Sequence, residues 1–238
     1  MKKIMTVAAS LIVVIPLLLT GCSGHTITEE QKGWVASLQA NYPDDEFVCK
    51  GQWQREAFAT DPDTVCMTSK LFKGHEFKLY MNGDQLYSDY PCMYHEKAIE
   101  DYYGGIISPC FDCDELVIMY SDHESKPIAY LSHEEFIEKY AVPVFSVILY
   151  YKDDHEYPGE DEIVSAILNS LVPLEDQNAK IHFYFCRPNI EEPTRNRDAE
   201  YYIHYHEGTI IYFCNYGENR KIFTDEMTLE EALSLYRG

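Results

Sequence analysis

The chain has 238 residues, enough for one large domain or two small ones, and its 46% hydrophobic content is typical of a folded protein. Forty acidic residues against 19 basic ones give a formal net charge of −21, which argues against nucleic-acid binding because that function needs basic patches. The charge favours a basic partner, multivalent cations or simple solubility.

The N-terminus has the three zones of a secretory signal. Lys2 and Lys3 are positive, residues 4–19 are almost entirely apolar, and small residues precede Cys22. The sequence Leu19-Thr20-Gly21-Cys22 resembles the lipobox of bacterial lipoproteins.

That resemblance implies a signal peptide over residues 1–21, a diacylglycerol on the Cys22 thiol and cleavage just before Cys22. The mature protein would then be held by lipid at the outer side of a cell membrane or an outer membrane. An uncleaved anchor is the alternative, since the apolar stretch of about 16 residues is close to the lower limit for spanning a bilayer.

The mature chain would start with a short tether over residues 22–28. Thr28 and Gln31 then form a capping-box pattern that predicts a helix over about 29–40. Strands are expected at about 46–54 and 64–70. Asn82-Gly83 lies between two alternating segments and predicts a hairpin. Further elements are expected in this order: a helix at 94–103 closed by Gly104-Gly105, strands near 116–120 and 127–130, and a helix from Ser132 to about 140.

A second block begins with a strand at 144–151, followed by a helix at 160–171 with an acidic first turn. A strand at 181–186, a hairpin over 200–215 and a helix ending near 236 complete it. We therefore expect an α+β fold of small antiparallel sheets with helices packed on one face. The blocks 29–142 and 143–238 suggest two similar subdomains, and one continuous sheet through both is the alternative.

Seven cysteines remain once Cys22 carries lipid, an odd number that leaves at least one thiol free or paired between chains. Cys49 and Cys66 lie on neighbouring predicted strands and could form a disulfide. Cys186 and Cys214 lie in two similar predicted strands and could also pair, with buried thiols as the alternative. Export makes such bonds possible.

Cys110-Phe111-Asp112-Cys113 is a CxxC motif. A redox motif of this kind should open a helix, whereas the residues that follow Cys113 are typical of a strand. A zinc site would need a second pair of ligands. A structural disulfide between Cys110 and Cys113, or two free thiols, is therefore favoured over redox or metal function.

His204 and His206 are two residues apart on a predicted strand and so share a face. With His182 they would supply three zinc ligands if their strands are adjacent. The alternative is a polar face of histidine and tyrosine in solvent. A calcium site at the acidic turn 153–156 is a weaker hypothesis, because its spacing is not that of an EF-hand and the acids at 160–162 suit a helix N-terminus.

No GxSxG, phosphate loop or HExxH motif is present in the sequence. Its 20 tyrosines are typical of binding surfaces. They are also common in ordinary strands that have one face exposed to solvent. We therefore expect a lipid-anchored, non-enzymatic binding protein with a basic protein partner, such as an inhibitor or immunity-like protein, and no cofactor beyond the diacylglycerol. The alternatives are an envelope metal or thiol protein and an envelope enzyme without nominated residues.

Overall fold

The computed structural model describes residues 27–56, 59–152, 154–175, 177–186, 197–206, 209–215, 222–223 and 226–237. Cys22, the signal segment and most of the tether lie outside these residues. The predicted α+β class is confirmed: five helices accompany two mostly antiparallel sheets. The chain divides into two compact units, Met1–Tyr80 and Met81–Gly238.

The described part of the first unit has one helix and three strands, of which the last ends just past the unit boundary: α1 (Glu29–Asn41), β1 (Phe47–Glu56), β2 (Ala59–Ser69) and β3 (Glu76–Asn82). The predicted capping box starts α1, because the Gln31 amide donates to Thr28 Oγ1 at 3.1 Å and the Thr28 amide donates to Gln31 Oε1 at 2.9 Å. β2 pairs antiparallel with both β1 and β3.

The predicted hairpin at Asn82-Gly83 is present. β3 leads into β4 (Gln85–Ser88), and Gly83 has a φ of 60°, the left-handed conformation that this tight turn requires. The first sheet has the order β1-β2-β3-β4-β6, where β6 is Lys126–Pro127.

Four helices lie in the described part of the second unit. α2 is Tyr90–Ile107 and runs through Gly104 and Gly105, where the sequence predicted its end. The helix continues because Ile107 is fully buried in the core and because the Gly104 backbone lies against Ile118. The remaining helices and the strands of the second sheet are β5 (Glu115–Tyr120), α3 (His133–Tyr140), β7 (Val144–Tyr150), α4 (Glu160–Leu171), β8 (Ala179–Cys186), β9 (Arg197–His206), β10 (Thr209–Asn215), β11 (Ile222–Phe223), β12 (Met227–Thr228) and α5 (Leu229–Arg237).

The second sheet has the order β11-β10-β9-β8-β7-β5, with β12 paired to β10. β7 and β8 run parallel, whereas the sequence predicted antiparallel pairing throughout. The difference arises because α4 connects these two strands, and a helical crossover returns the chain to the same end of the sheet.

The sequence-based boundary between residues 142 and 143 falls inside the second unit. β5 precedes this boundary but pairs with β7, placing Leu116 opposite Leu149. Residues 115–120 therefore share a sheet with the second block. The boundary between the compact units lies instead between Tyr80 and Met81.

The main core lies on one face of the second sheet. Alternate residues of its central strands point inward and are fully buried, among them Val147, Leu149, Ile181, Phe183 and Ile203. Helix α4 contributes Ile167 and Leu171 to the same cluster. The residues between the inward positions point to the opposite face. Within the described residues, no helix combines the length and the apolar character needed to cross a membrane.

Candidate functional site

A pocket with a volume of about 460 Å³ lies beside the carboxyl ends of β7 and β8. Tyr151, the residue after β7, and Phe185 of β8 form its inner wall, and the N-terminal half of α4 forms another side. The CxxC segment closes the pocket with Cys110, Phe111 and Asp112. In sheets with parallel strands, ligands bind outside the carboxyl ends of those strands, so this pocket occupies a position typical of binding sites.

His155 lines the pocket in a fixed orientation. Its Nδ1 lies 3.1 Å from Asp114 Oδ2, and its ring meets the Tyr151 ring edge-on at 5.3 Å. The Asp114 carboxylate also accepts the Lys152 amide at 2.8 Å. The hydrogen bonds from Lys152, with the charges of Lys152 and His155, lower the pKa of Asp114. Asp114 therefore stays ionised and holds both neighbouring basic groups.

Cys110 and Cys113 are both thiols in the structure and are half-buried. Cys110 ends a short 3-10 turn, Ser108–Cys110, and not a helix N-terminus. Burial raises the pKa of each thiol, and the charges of Asp112 and Asp114 raise that of Cys113 further. A raised pKa favours the protonated, less nucleophilic thiol over the thiolate.

The other predicted cysteine pairs differ in their placement. Cys49 and Cys66 lie on the neighbouring strands β1 and β2, as predicted, and Cys66 is a buried thiol whose pKa is raised to about 12, chiefly by burial. The disulfide between them stays a prediction.

Cys186 and Cys214 are not brought together. They pair with β9 from opposite sides, at Arg197 and Tyr202 respectively. Strands separated by a third strand lie about 9–10 Å apart, which is too far for a disulfide. The two similar strands that contain Cys186 and Cys214 were predicted correctly. A disulfide would need them to be neighbours, and β9 lies between them.

The three predicted histidines share the outer face of the second sheet. His182 lies opposite Tyr202 on β9, and Lys180 lies opposite His204. His182 Nδ1 lies 3.4 Å from the Tyr184 hydroxyl and 3.6 Å from Glu200 Oε1. Partial burial lowers the pKa of His204, and the charges of Lys180 and His206 lower it further. Within the described residues, no group of three His, Cys, Asp or Glu side chains is placed to hold a metal ion, so zinc and calcium stay predictions.

Apolar and aromatic side chains surround these histidines on the outer face. Six of them define what we call the outer sheet face: Val117, Met119, Ile148, Tyr150, Tyr184 and Tyr202. Val117, Ile148 and Tyr184 lie directly opposite one another on three consecutive strands. Met119 is 52% exposed, and the other five are half-buried among their neighbours.

Sequence patterns revealed only part of these two surfaces. The CxxC motif and the acidic turn that contains His155 were visible, but nothing indicated that they meet at one pocket. The outer sheet face was hidden because β7 has apolar residues at both inward and outward positions. A continuous run such as Val147-Ile148-Leu149 signals a strand without showing which side faces solvent.

No family model and no curated protein matches the chain. One similar solved structure is the crystal structure of a DUF5037 family protein from Ruminococcus gnavus ATCC 29149. The two chains are 14% identical with a TM-score of 0.34, and the match covers 85% of this chain and 97% of that chain. A likeness at this TM-score carries no argument about fold or function.

Proposed function

We propose that this protein is a lipid-anchored, extracytoplasmic bacterial lipoprotein that binds a protein partner through its outer sheet face. The observation that carries the binding role is the row of Val117, Ile148 and Tyr184, which places apolar and aromatic side chains on the solvent side of three adjacent strands. The lipobox-like segment that ends at Cys22 supports the anchoring.

The outer sheet face has the composition of an interaction surface. The solvent side of a sheet that is covered on one face normally carries polar residues. Contiguous apolar patches at such positions mark sites of protein contact, and tyrosine supplies a large contact area together with a polar end. Tyr150, Tyr184 and Tyr202 meet that description.

The charge of the molecule favours a basic partner. Without Lys2 and Lys3, 17 basic residues face 40 acidic ones, for a net charge of about −23 with histidine neutral. Complementary charge speeds association and disfavours wrong partners. A protein of this kind acts by occupying its partner, as an inhibitor or an immunity protein does.

Site-specific photo-crosslinking of the full-length chain in its own cells tests this role. A photoreactive residue at Met119, on the outer sheet face, should give a defined adduct with a basic protein. The same residue at Leu235 of α5, which is 63% exposed, is the matched control and should not. The adduct should disappear in Ile148→Asp, which adds a charge to the centre of the face. Equal adducts from both positions, or an adduct that survives Ile148→Asp, would contradict the proposal.

An envelope thiol or metal protein is the competing function. The raised pKa values of Cys110 and Cys113 disfavour thiolate chemistry. Thiol titration together with metal analysis of the purified protein separates the two functions. Rapid alkylation of both thiols at neutral pH, or a stoichiometric bound metal, would favour the competing function.

A further inference from the structure

The pocket at the carboxyl ends of β7 and β8 is a second candidate site, on the opposite side of the sheet from the outer sheet face. Two buried aromatic rings lie behind its inner wall. Tyr151 and Phe185 are at most 1% exposed and stack at 6.3 Å with an interplanar angle of 15°. Phe111 extends the wall, with its ring centroid 6.0 Å from that of Phe185. Phe111 is half-buried, so a ligand can reach its ring, and the face of such a ring attracts cations as well as alkyl chains.

The rim of the pocket is negative. Asp112, Glu156 and Glu162 line it, and no lysine or arginine does so among the described residues. Within this part of the chain neither Asp112 nor Glu156 forms an ion pair. The nearby cation Lys152 is held by Asp114, 3.4 Å away, so its charge is already balanced.

The start of α4 does not make the pocket an anion site. A helix N-terminus ordinarily attracts negative groups. Here the first turn contains Glu160, Asp161 and Glu162, and the Glu162 carboxylate already accepts the Gly159 amide at 3.0 Å. The protein's own carboxylates therefore occupy the position that an anionic ligand would take.

We propose that this pocket binds an organic cation, namely an ammonium or guanidinium group carried on an alkyl chain. The charged head lies between Asp112 and Glu156, and the chain lies along the half-buried ring of Phe111. The volume of about 460 Å³ is within the usual range for small-ligand pockets. A free amine and a lysine or arginine side chain of another protein share this chemistry. The site is independent of the outer sheet face, so either assignment stands without the other.

Calorimetric titration of the full-length protein in detergent tests the site with defined probes. Cadaverine represents a free amine, and the peptide acetyl-Gly-Lys-Gly-amide represents a protein side chain. Glutarate, of similar length and opposite charge, and the same peptide with acetylated lysine are the controls. We expect saturable binding of at least one cationic probe and none of either control. The probe that binds more tightly identifies the source of the cation.

Three variants locate the binding. Asp112→Asn with Glu156→Gln should weaken it by about tenfold or more, because two unpaired carboxylates are lost. Phe111→Leu should weaken it by about three- to tenfold through loss of one ring. Glu138→Gln, an exposed acid on α3, is the charge-matched control and should leave it unchanged. Circular dichroism confirms that each variant is folded. Failure of both cationic probes to bind, or equal binding to the Asp112→Asn, Glu156→Gln variant, would overturn the proposal.

Discussion

Asp45 is a buried carboxylate in the loop after α1, with only 3% of its surface exposed. Its Oδ1 accepts the amides of Glu46, Lys70 and Leu71 at 2.7, 3.1 and 3.1 Å. The side chain thereby joins the loop after α1 to the end of β2, which lies about 25 residues further along the chain. An Asp-Asp-Glu run in the sequence is typical of a solvated turn, so the sequence alone did not reveal this role.

Asp45→Ala should lower the free energy of unfolding by about 3 kcal/mol, since three backbone amides lose the buried carboxylate that accepts their hydrogen bonds. Urea denaturation measures the change. Its neighbour Asp44 is exposed, and Asp44→Ala should stay within about 0.5 kcal/mol of the wild type. Equal effects of the two substitutions would mean that the Asp45 hydrogen bonds do not stabilise the fold.

His95 of α2 is a fully buried histidine that contacts α3. Its Nδ1 lies 2.8 Å from His133 Nδ1, and its ring stacks on Phe136 at 4.1 Å. The other ring nitrogen, Nε2, has no hydrogen-bond partner among the residues that the structure describes. Burial is the main cause that lowers the pKa of His95 to about 4, and the charge of His133 adds to it. The neutral imidazole is therefore the form that the folded protein holds.

This lowered pKa makes stability depend on pH. An unfolded histidine titrates near 6.5, so between about pH 6.5 and pH 4 the unfolded chain binds more protons than the folded chain. Stability therefore falls as the pH drops through this window, by about 3 kcal/mol from His95. Below pH 4 both states are protonated, and this contribution no longer changes.

His95→Leu should remove that pH dependence. Urea denaturation at pH 7 and at pH 4 should show a loss of stability smaller by about 3 kcal/mol in the variant than in the wild type. His123→Leu, which changes an exposed histidine in the same unit, should keep the wild-type difference. Parallel pH profiles for His95→Leu and the wild type would rule out His95 as the titrating group.

At the scale of the elements, local signals predicted helices well. The capping box of Ser132 and Glu135 correctly marked the start of α3, and the helices α1 and α4 lie close to their predicted bounds. Such signals work because a helix start is decided by hydrogen bonds within four residues. The pKa of Glu135 is lowered by the hydrogen bonds that it accepts from Ser132.

Ser132→Ala should destabilise the protein by about 1 kcal/mol, because the Glu135 amide loses its acceptor at 3.2 Å. The effect is measured by thermal unfolding. Ser121→Ala, an exposed serine in a loop of the same unit, should have a much smaller effect. No difference between the two variants would show that the cap is not needed to hold α3.

Strand pairing was less predictable than the strands themselves. The Asn82-Gly83 hairpin was evident because its partners are adjacent in sequence. The pairing of β5 with β7, and the parallel pairing of β7 with β8, depend on how helices pack between them. The pocket and the outer sheet face both follow from those pairings. Individual residues such as Cys110 were therefore visible in the sequence, whereas the surfaces to which they belong were not.

At the scale of the whole molecule, the proposed lipid anchor and the charge would act together. A strongly acidic protein has little electrostatic attraction to an anionic membrane surface. Lipid on Cys22 would then be the main force that holds it there, since buried acyl methylenes contribute about 0.8 kcal/mol each.

Cys22→Ser should prevent lipidation and cleavage in living cells. Metabolic labelling with an alkyne fatty acid should mark the wild type and leave the variant unlabelled. Cys92→Ser removes a different cysteine, one inside the helix α2, and should keep the label. Labelling of Cys22→Ser equal to that of the wild type would contradict the lipoprotein assignment.

The strand order of the second sheet bears on how the chain would fold during export. From β7 to β11, each strand pairs with the strand that precedes it in the chain. In a protein threaded through an export channel N-terminus first, every emerging strand would meet an edge that is already formed. A chain stalled after β9 would expose that strand's amides and carbonyls, and exposed edges recruit other chains. If the chain is exported as proposed, the pairing of β10 with β9 would cover that edge as β10 emerges and would so limit aggregation.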